Sequence, residues 1–463
     1  MSRSKRIPPF EAEITHLGPK GVGVGTAPDG RPVHVRRAPP GGRVLVRPAG
    51  RKRGTWAGAR MALVRPPSDA VEPPCPVFGL CGGCVLQELP LERQRALKLE
   101  RARVEVGETE WRGVRGSPDA YGFRNKMEFS FGNKRYASER EMARGDAVLD
   151  GRFLGLHAPG RFDRVVDVAC CPLLDDVGNA ALAVTRAVLL DPPDGPTLWD
   201  VRSHEGFLRH LLVRRGQGSL YLGLFTASPT PADEAAVHAW LDALERSEGL
   251  AGVAVSAGWY VNDGVADVAR GELREHRGSP DLRMRLRGRE FSLAPLAFFQ
   301  TSTAGAEVLV DTIGEALGTG HRLLLDLYCG TGSIGICLSD RARQVVGIEE
   351  VEAAIDNARV NAAANGVQAE YRVAKVEAAL DQIVGGPGIA AVVDPPRAGL
   401  HPSVARKLAE TPLDVLVYVA CNPASLGRDR VLLEAGGWRL QCAWAVDLFP
   451  QTGHLEVVAR FVR

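Results

Sequence analysis

From about residue 321 the chain alternates apolar, strand-like runs with helical segments, and this alternation constrains the fold more than any other feature. The runs include RLLLDLYCG, QVVGIEE, AEYRVAK, IAAVVDPP, DVLVYVACN and LQCAWAVDLF. Such a pattern predicts a mostly parallel, doubly wound sheet. Ligands bind at the carboxyl ends of the strands in sheets of this kind. The side chains that follow the strands are therefore the candidate functional residues.

The first of these strands leads into a glycine-rich turn, DLYCGTGSIG (326–335), and Glu349 ends the next strand. Glycines let the backbone approach a nucleotide-like ligand, and the acid can accept hydrogen bonds from ribose hydroxyls. This pattern alone leaves NAD and S-adenosylmethionine open. Asp326 stands just before the glycines, where a carboxylate would repel a pyrophosphate and attract a cationic amino-acid group. That position favours S-adenosylmethionine.

Two later strand ends carry reactive groups, DPPR (394–397) and the YVACNP run with Cys421, and HLE with Glu456 opens a last apolar strand. A cysteine after an apolar run is either a small buried hydrophobe or a nucleophile delivered to the cofactor pocket. A carboxylate in a buried strand is costly unless it is paired or used. Thiolate addition to carbon 6 of uracil would make carbon 5 attack a methyl donor, after which a base must remove the carbon-5 proton. This chemistry assigns Cys421 as nucleophile and Glu456 as base.

The first 65 residues alternate short strand-like runs with Gly and Pro turns, which predicts a small β-barrel. They hold fourteen Lys and Arg against three Asp and Glu, a net +11, although the whole chain carries only +2. Clustered positive charge of this kind favours phosphate binding, and small barrels are common nucleic-acid platforms. A solvated surface or a stability module is the alternative interpretation.

The region after the Pro-rich linker 65–74 is predicted as an α+β domain. FLRHLLVRRGQGSLYLGLF indicates a hairpin, and residues 231–246 predict an amphipathic helix. The chain has nine cysteines, too few for a secreted disulfide scaffold, so metal binding or catalysis is the favoured use. Cys75, Cys81 and Cys84 form a trio whose spacing leaves zinc and an iron-sulfur cluster open. No run of 18 apolar residues and no apolar signal core is present, so we expect a cytoplasmic protein without a membrane span.

Six ordered motifs identify a resemblance to the RNA uracil-C5 methyltransferase family, whose members modify uridines in tRNA or large-subunit rRNA. The motifs are FFQTS (298–302), DLYCGTGSIG (326–335), GIE (347–349), DPPRAGL (394–400), YVACNPASLGRD (418–429) and GHLEVV (453–458). The front of the chain resembles the iron-sulfur members of this family, which carry a TRAM domain.

The resemblance implies roles for individual residues. It implies that the cofactor or uracil is contacted by Gln300, Tyr328, Glu349 and Asp394, and that Phe298 stacks on the extruded base. A [4Fe-4S] cluster would be held by Cys75, Cys81, Cys84 and Cys171. Cys171 precedes Pro-Leu and so matches the distant ligand better than Cys170. The family often has Asn, Phe and Asn where Ser302, Tyr328 and Ser333 stand, and no residue is assigned to the adenine.

The sequence therefore predicts three parts: a basic TRAM-like β-barrel over 1–65, a central α+β domain with the iron-sulfur cysteines over 75–300, and a class I methyltransferase domain over 301–463. We expect a monomer that transfers a methyl group from S-adenosylmethionine to carbon 5 of a uridine in tRNA or 23S rRNA, through a covalent adduct between the cysteine and carbon 6. An RNA cytosine-C5 methyltransferase is the nearest alternative, but the Pro-Cys nucleophile motif typical of those enzymes is not found in the α/β region. A non-catalytic RNA-binding or folding factor would not need both Cys421 and Glu456, and an NAD oxidoreductase would use neither the cysteine nor the barrel.

Overall fold

The computed structural model describes residues 7–383 and 387–463, so residues 1–6 of the predicted barrel segment lie outside the described residues. The chain divides into two compact units. One comprises the chain up to Pro73 with Cys84–Ala120 and Ala304–Arg463, and the other comprises Pro74–Gly83 with Tyr121–Thr303. We call them the methyltransferase unit and the central unit. No helix of the described residues is long and apolar enough to cross a membrane.

A closed five-stranded barrel opens the methyltransferase unit, with strand order β1-β2-β3-β5-β4. Its interior is filled by β-branched side chains, among them Val33, Val35, Val44 and Val46, all fully buried. Alternate residues of each strand face this core, as the period of a strand requires. The strands are β1 Phe10–Leu17, β2 Gly23–Thr26, β3 Pro32–Arg36, β4 Arg43–Lys52 and β5 Thr55–Arg65.

A polar helix, α1 (Leu91–Val106), and a strand, β6 (Glu110–Gly116), follow the barrel and complete the N-terminal part of the same unit. β6 pairs in parallel with a strand from the end of the chain, with Cys442 opposite Glu110.

The central unit is built on a seven-stranded sheet of order β13-β12-β11-β10-β7-β8-β9. The expected hairpin is present as β10 and β11, and the expected helix as α4, which a capping box between Thr230 and Asp233 begins. The elements are β7 Lys126–Lys134, α2 Glu139–Arg144, β8 Asp150–Ala158, β9 Arg161–Asp167, α3 Asp176–Thr185, β10 Leu208–Gly216, β11 Ser219–Thr226, α4 Pro231–Arg246, β12 Ala254–Val261, β13 Glu272–Arg277, and the separate hairpin β14 Leu282–Leu286 with β15 Arg289–Leu293.

The C-terminal sheet has eight strands in the order β18-β17-β16-β19-β20-β22-β21-β6. Strands β16 to β20 are parallel, whereas β22 runs antiparallel between β20 and β21. The prediction of a mostly parallel, doubly wound sheet is thus confirmed. The elements are α5 Thr303–Leu317, β16 His321–Leu327, α6 Ser333–Cys337, β17 Ala342–Glu349, α7 Glu352–Ala364, β18 Ala369–Val373, α8 Val376–Leu380, β19 Ile389–Val393, α9 Pro402–Glu410, β20 Val415–Ala420, α10 Pro423–Ala435, β21 Arg439–Asp447 and β22 Glu456–Val462.

Candidate active site

The glycine-rich turn after β16 adopts backbone angles that few other residues tolerate. Tyr328, Gly330 and Gly332 have φ of 63°, 53° and 76°. A Cβ at Gly332 would lie 2.6 Å from the hydroxyl of Tyr371, so glycine is required there. The Tyr371 hydroxyl is buried and has no hydrogen-bond partner among the described residues. The turn therefore packs tightly against β18 and keeps its backbone exposed to a ligand.

Asp326 is the acidic residue of β16, and its two carboxylate oxygens have different surroundings. Oδ2 accepts a hydrogen bond from the backbone N–H of Gly335 at 2.8 Å, which holds the start of α6. Oδ1 is buried and without a partner in the part of the chain that the structure describes. Burial raises the pKa of Asp326 to about 6, and the charge of Glu349 adds to the shift. An unpaired carboxylate oxygen beside a glycine turn is suited to a cationic ligand group.

Glu349 ends β17 next to this turn. Its Oε1 accepts hydrogen bonds from the N–H groups of Glu350 and Val351 at 2.9 and 3.1 Å, and Oε2 accepts from Gly330 at 3.3 Å. Three backbone donors thus fix the carboxylate at the carboxyl edge of the sheet. This is where an acid that binds ribose hydroxyls stands in dinucleotide-type sites.

Cys421 and Glu456 lie opposite each other on neighbouring strands. Ala420 of β20 pairs with Val457 of β22, so the antiparallel register puts the next residue, Cys421, across from Glu456. Cys421 is half-buried, whereas Glu456 is 6% exposed. The structure thus brings together the two residues that the sequence assigned as nucleophile and base.

The electrostatics of this pair are set by burial and by the loop after β19. Burial and the charges of Glu456 and Asp394 raise the pKa of the Cys421 thiol to about 11, while Arg397 opposes the shift. Burial and the charge of Asp394 raise the pKa of Glu456 to about 8, again against Arg397. Burial and the charge of Asp326 raise the pKa of Asp394 to about 7. Perturbed carboxyls clustered around a thiol are typical of catalytic sites.

Asp429 in α10 fixes the loop that carries Asp394 and Arg397. Its Oδ2 accepts hydrogen bonds from the Tyr418 hydroxyl at 2.8 Å and the Leu400 N–H at 2.6 Å. Asn422 Nδ2 donates to the Arg397 carbonyl at 3.4 Å and joins the same loop to the strand end after Cys421. Sequence reasoning missed Asp429 as a positioning residue, although it ends the YVACNPASLGRD motif.

One face of α1 holds the segment between β21 and β22, which leads into Glu456. Gln94, Lys98 and Arg101 recur at the helical spacing that puts side chains on one face. Gln94 Oε1 accepts from the N–H of Gln451 at 2.8 Å, and Arg101 Nη1 donates to the Gly453 carbonyl at 2.7 Å. Nothing in the local sequence pattern signals this role, because the partners are far along the chain.

Most of the remaining residues assigned by resemblance belong to the central unit. Gln300 and Phe298 belong to the central unit, where Asn125 Nδ2 donates to the Gln300 carbonyl at 3.1 Å and Phe298 is 76% exposed. Cys75, Cys81 and Cys171 also belong to the central unit, whereas Cys84 begins a segment of the methyltransferase unit.

The cysteine environment in the central unit can be described directly. Burial raises the pKa of Cys75 to about 11, and the charges of Cys81, Cys171 and Cys170 add to it. Backbone N–H groups of Leu173 and Leu174 donate toward the Cys171 sulfur and oppose the rise that burial causes in its pKa. Among the described residues, no three or more His, Cys, Asp or Glu side chains form a group arranged to hold a metal ion.

An S-adenosylmethionine-dependent methyltransferase fold is defined by the strand order, the glycine turn and Glu349 at the end of β17. Two family models match the chain: "Methyltransferase small domain" over residues 299–396 and "tRNA (Uracil-5-)-methyltransferase" over residues 389–461. The chain belongs to the family of S-adenosylmethionine-dependent RNA uracil-C5 methyltransferases, as full-length relatives also show.

An uncharacterised RNA methyltransferase of Caldanaerobacter subterraneus subsp. tengcongensis is 35% identical over 96% of this chain and 97% of its own. The tRNA (uracil(54)-C(5))-methyltransferase of Pyrococcus abyssi is 30% identical over 91% of this chain and 94% of its own. The crystal structure of the Pyrococcus abyssi tRNA (uracil-54, C5)-methyltransferase, in complex with S-adenosyl-L-homocysteine, covers 98% of this chain and 100% of its own, with a TM-score of 0.76 and 27% identity.

Proposed function

We propose that this enzyme methylates carbon 5 of a uridine in tRNA, at the position equivalent to uridine 54, through a covalent adduct with Cys421. The observation that carries the mechanism is the placement of Cys421 opposite Glu456 across the β20–β22 pair. The similarity to the Pyrococcus abyssi tRNA (uracil(54)-C(5))-methyltransferase supports tRNA over 23S rRNA as substrate. A factor that only binds or folds RNA would have no use for a buried carboxyl beside a thiol.

The reaction begins at the Cys421 sulfur. In its deprotonated form it bonds to carbon 6 of the uracil, and the carbon 5–carbon 6 double-bond electrons move into the carbonyl to give an enolate. Arg397 favours the thiolate because its charge lowers the thiol's pKa against the effect of burial. Bound S-adenosylmethionine would supply an electrophilic methyl group: carbon 5 of the uracil would bond to it as the methyl–sulfur bond breaks, and S-adenosylhomocysteine would be the leaving group.

Glu456 completes the turnover. Its carboxylate takes the proton from carbon 5, the electrons re-form the carbon 5–carbon 6 double bond, and the carbon 6–sulfur bond breaks to return the Cys421 thiolate. The raised pKa of Glu456, about 8, makes the deprotonated form a stronger base than an ordinary carboxylate. The same burial keeps bulk water from the proton that is transferred.

Binding of S-adenosylmethionine is assigned to the residues around the glycine turn. The unpartnered Asp326 Oδ1 fits the amino group of its methionine part, and the fixed Glu349 carboxylate fits the ribose hydroxyls. Tyr328, Asp394 and Gln300 are proposed contacts to cofactor or uracil on the strength of the resemblance. Phe298, exposed on the central unit, is the proposed stacking partner of the extruded base.

A [4Fe-4S] cluster on Cys75, Cys81, Cys84 and Cys171 is proposed with a structural role, since no step above needs an electron. Amide donation toward the Cys171 sulfur supports a thiolate ligand, because N–H···S bonds stabilise the charged form. A formed ligand set is absent from the described residues, so the assignment depends on the resemblance. The TRAM-like role of the barrel, the domain limits, the cytoplasmic location and the monomeric state likewise stay predictions.

The test is methyl transfer to defined RNA. Purified enzyme, S-adenosylmethionine labelled in its methyl group and unmodified transcripts of tRNA and of 23S rRNA fragments should give labelled 5-methyluridine in tRNA, mapped by mass spectrometry to position 54. A tRNA transcript with cytidine at that position is the matched control and should stay unlabelled. Labelling of the rRNA fragments alone would overturn the substrate, and label found in 5-methylcytidine would overturn the chemistry.

A further inference from the structure

The central unit carries a cleft away from the residues used above. It lies between the end of β7, the start of β9 and the turn 199–202, and has a volume of about 240 Å³. We call it the β9 cleft. Pockets for drug-sized ligands span about 300–1,000 Å³. The β9 cleft therefore fits one flat ring system with its attached charge better than a longer segment.

An exposed aromatic side chain forms one wall of the cleft. Phe162 is 64% exposed at the start of β9, which is an edge strand of the seven-stranded sheet. The guanidinium of Arg202 lies 5.8 Å from the centre of its ring. Unstacked nucleobases are bound by such aromatic faces and by the planar groups of arginines. Phe162 contributes little to the core, so its ring is available to a ligand.

The cleft has an excess of positive charge. Its lining contains four cationic side chains, Lys134, Arg161, Arg164 and Arg202, against two anionic ones, Asp163 and Asp200. Asp163 accepts from Arg161 at 3.0 Å and from Arg202 at 2.6 Å, and these partners hold its pKa well below the usual range. Lys134 also pairs with Asp150, which lies outside the lining, so one cation is left in excess for an anionic ligand group.

The walls are held in place without a ligand. Asp200 Oδ1 accepts from the backbone N–H groups of Arg202 and Ser203 at 2.8 and 3.2 Å, which fixes the turn. Asp200 Oδ2 accepts from Asn133 Nδ2 at 2.9 Å and ties this turn to β7. The guanidinium of Arg209 stacks 4.1 Å from the ring centre of Trp199. A preformed cleft lowers the entropy lost on binding.

We propose that the β9 cleft binds one unpaired nucleotide of the RNA substrate, with its base against Phe162 and its phosphate beside Arg161 and Arg202. The inference rests on the proposed function in taking RNA as the ligand, and it adds a second recognition site to the target-uridine site. The RNA must then present an unstacked nucleotide to the central unit as well as the methylated uridine. A fully paired helix would not fill the cleft, because its bases are stacked inside.

Binding by the full-length protein tests this proposal with two probes, an unmodified tRNA transcript and inorganic polyphosphate. Phe162→Ala should weaken tRNA binding about 5- to 150-fold, the range of one lost base–aromatic stack, and leave polyphosphate binding unchanged. Phe162→Tyr keeps an aromatic face and should bind tRNA like the wild type. Arg202→Gln should weaken both probes. Met142→Ala, a 54% exposed apolar site of the same unit, is the matched control and should change neither.

The outcomes separate this inference from the proposed function. Phe162→Ala protein that binds tRNA as tightly as the wild type overturns the β9 cleft as a nucleotide site, and so does an equal loss of polyphosphate binding. Wild-type protein that binds tRNA but transfers no methyl group to it contradicts the proposed substrate and leaves the comparison of Phe162 variants decisive. Wild-type protein that does not bind tRNA contradicts both.

Discussion

Lys98 Nζ and Asp447 Oδ1 form an ion pair of 2.6 Å in which neither side chain has any exposed surface. Lys98 also donates to the Phe449 carbonyl at 3.1 Å, whereas Asp447 Oδ2 has no other partner among the described residues. Burial lowers the pKa of Lys98 and the charge of Asp447 opposes that shift. Because the two residues are 349 positions apart in the sequence, this interaction ties α1 to the segment before Glu456.

Lys98→Met should be strongly destabilising, since it leaves Asp447 buried without its counter-ion. Loss of one partner of a buried pair costs about 3–5 kcal/mol, which urea unfolding of the full chain would detect. Arg103→Met, an exposed site on the same helix, is the control and should change stability little. Lys98→Met combined with Asp447→Leu should recover part of the loss. A single variant as stable as the wild type would contradict the role of the pair.

Substitution of Cys421 and substitution of Glu456 should affect different steps of the reaction. Cys421→Ala removes the atom that bonds to carbon 6, so methyl transfer to tRNA should fall below detection while S-adenosylmethionine still binds. Glu456→Gln keeps the nucleophile but not the base, so methylated RNA should stay attached to the protein as a denaturant-resistant adduct. The double variant should give no adduct. Product formation by Cys421→Ala at the wild-type rate would rule out the covalent mechanism.

The rate of adduct breakdown should rise with pH. The pKa of Glu456 is raised to about 8, so most of this carboxyl is protonated at pH 7 and becomes a base only as the pH approaches and passes 8. Asp394→Asn removes a charge that raises this pKa and should move the profile to lower pH. Arg397→Gln removes a charge that lowers it and should move the profile to higher pH. Shifts in the same direction would contradict the electrostatic assignment.

The same carboxyl makes stability depend on pH. Its folded pKa of about 8 lies above the unfolded value of about 4.3, so its contribution is fully present below the unfolded pKa and is lost as pH rises toward the folded one. Glu456→Gln should therefore gain stability relative to the wild type between pH 4 and pH 8. Melting temperatures of the two proteins across this range are the measurement, and a constant difference would show that the carboxyl does not titrate as described.

Anaerobically purified protein should carry about four irons and acid-labile sulfide per chain if the cysteine assignment is right. Cys171→Ser should lose the iron, whereas Cys170→Ser, at the adjacent exposed cysteine, should retain it. Iron and sulfide analysis of the three proteins is the measurement. Stoichiometric zinc without sulfide would replace the cluster with a zinc site.

The basic tip of the barrel should contribute affinity for RNA that depends on salt. Arg51, Lys52 and Arg53 are exposed at the turn between β4 and β5, and their replacement by Gln should lower the slope of log affinity against log salt by about one unit for each phosphate that is no longer bound. Arg43→Gln is the control, because Arg43 already pairs with Glu13 at 2.7 Å. Deletion of the whole barrel is a poorer test. It would also remove the ion pair of 2.7 Å between Arg60 and Glu88, and so would disturb the rest of the same unit. An unchanged slope would exclude these three side chains from the RNA interface.

The strand ends of the C-terminal sheet could be predicted because parallel strands bring their carboxyl ends to one edge. That rule alone put the turn after Asp326, Glu349, Asp394 and Cys421 on one side of the sheet. It did not reveal that Asp326 Oδ2 holds Gly335, since a hydrogen bond to a local backbone N–H leaves no signature in composition or spacing. The placement of Glu456 opposite Cys421 follows from a strand that inserts antiparallel, which the order of motifs along the chain does not specify.

The contribution of α1 and β6 could not be predicted from the sequence. α1 looks like a solvated helix because the face that it buries carries Gln94, Lys98 and Arg101. Hydrophobic periodicity detects helices that bury apolar side chains, not those that bury hydrogen-bonding groups whose partners lie hundreds of residues away. β6 is short and, among the strands that the structure describes, pairs with β21 alone, so its place at the sheet edge depends on the completed fold.

The pairing of β6 with β21 also affects folding during synthesis, because the eight-stranded sheet cannot be completed until β21 has been made. Residues 84–120 leave the ribosome long before their partners near residue 447 are made, so the charged face of α1 has no counterpart until β21 has been synthesised. Most of the central unit, Tyr121–Thr303, is synthesised between these two segments and can fold before β21 is made. A fragment made of residues 304–463 alone would contain Cys421 and Glu456, but its sheet would have an open edge along β21 and Asp447 would lack its counter-ion Lys98.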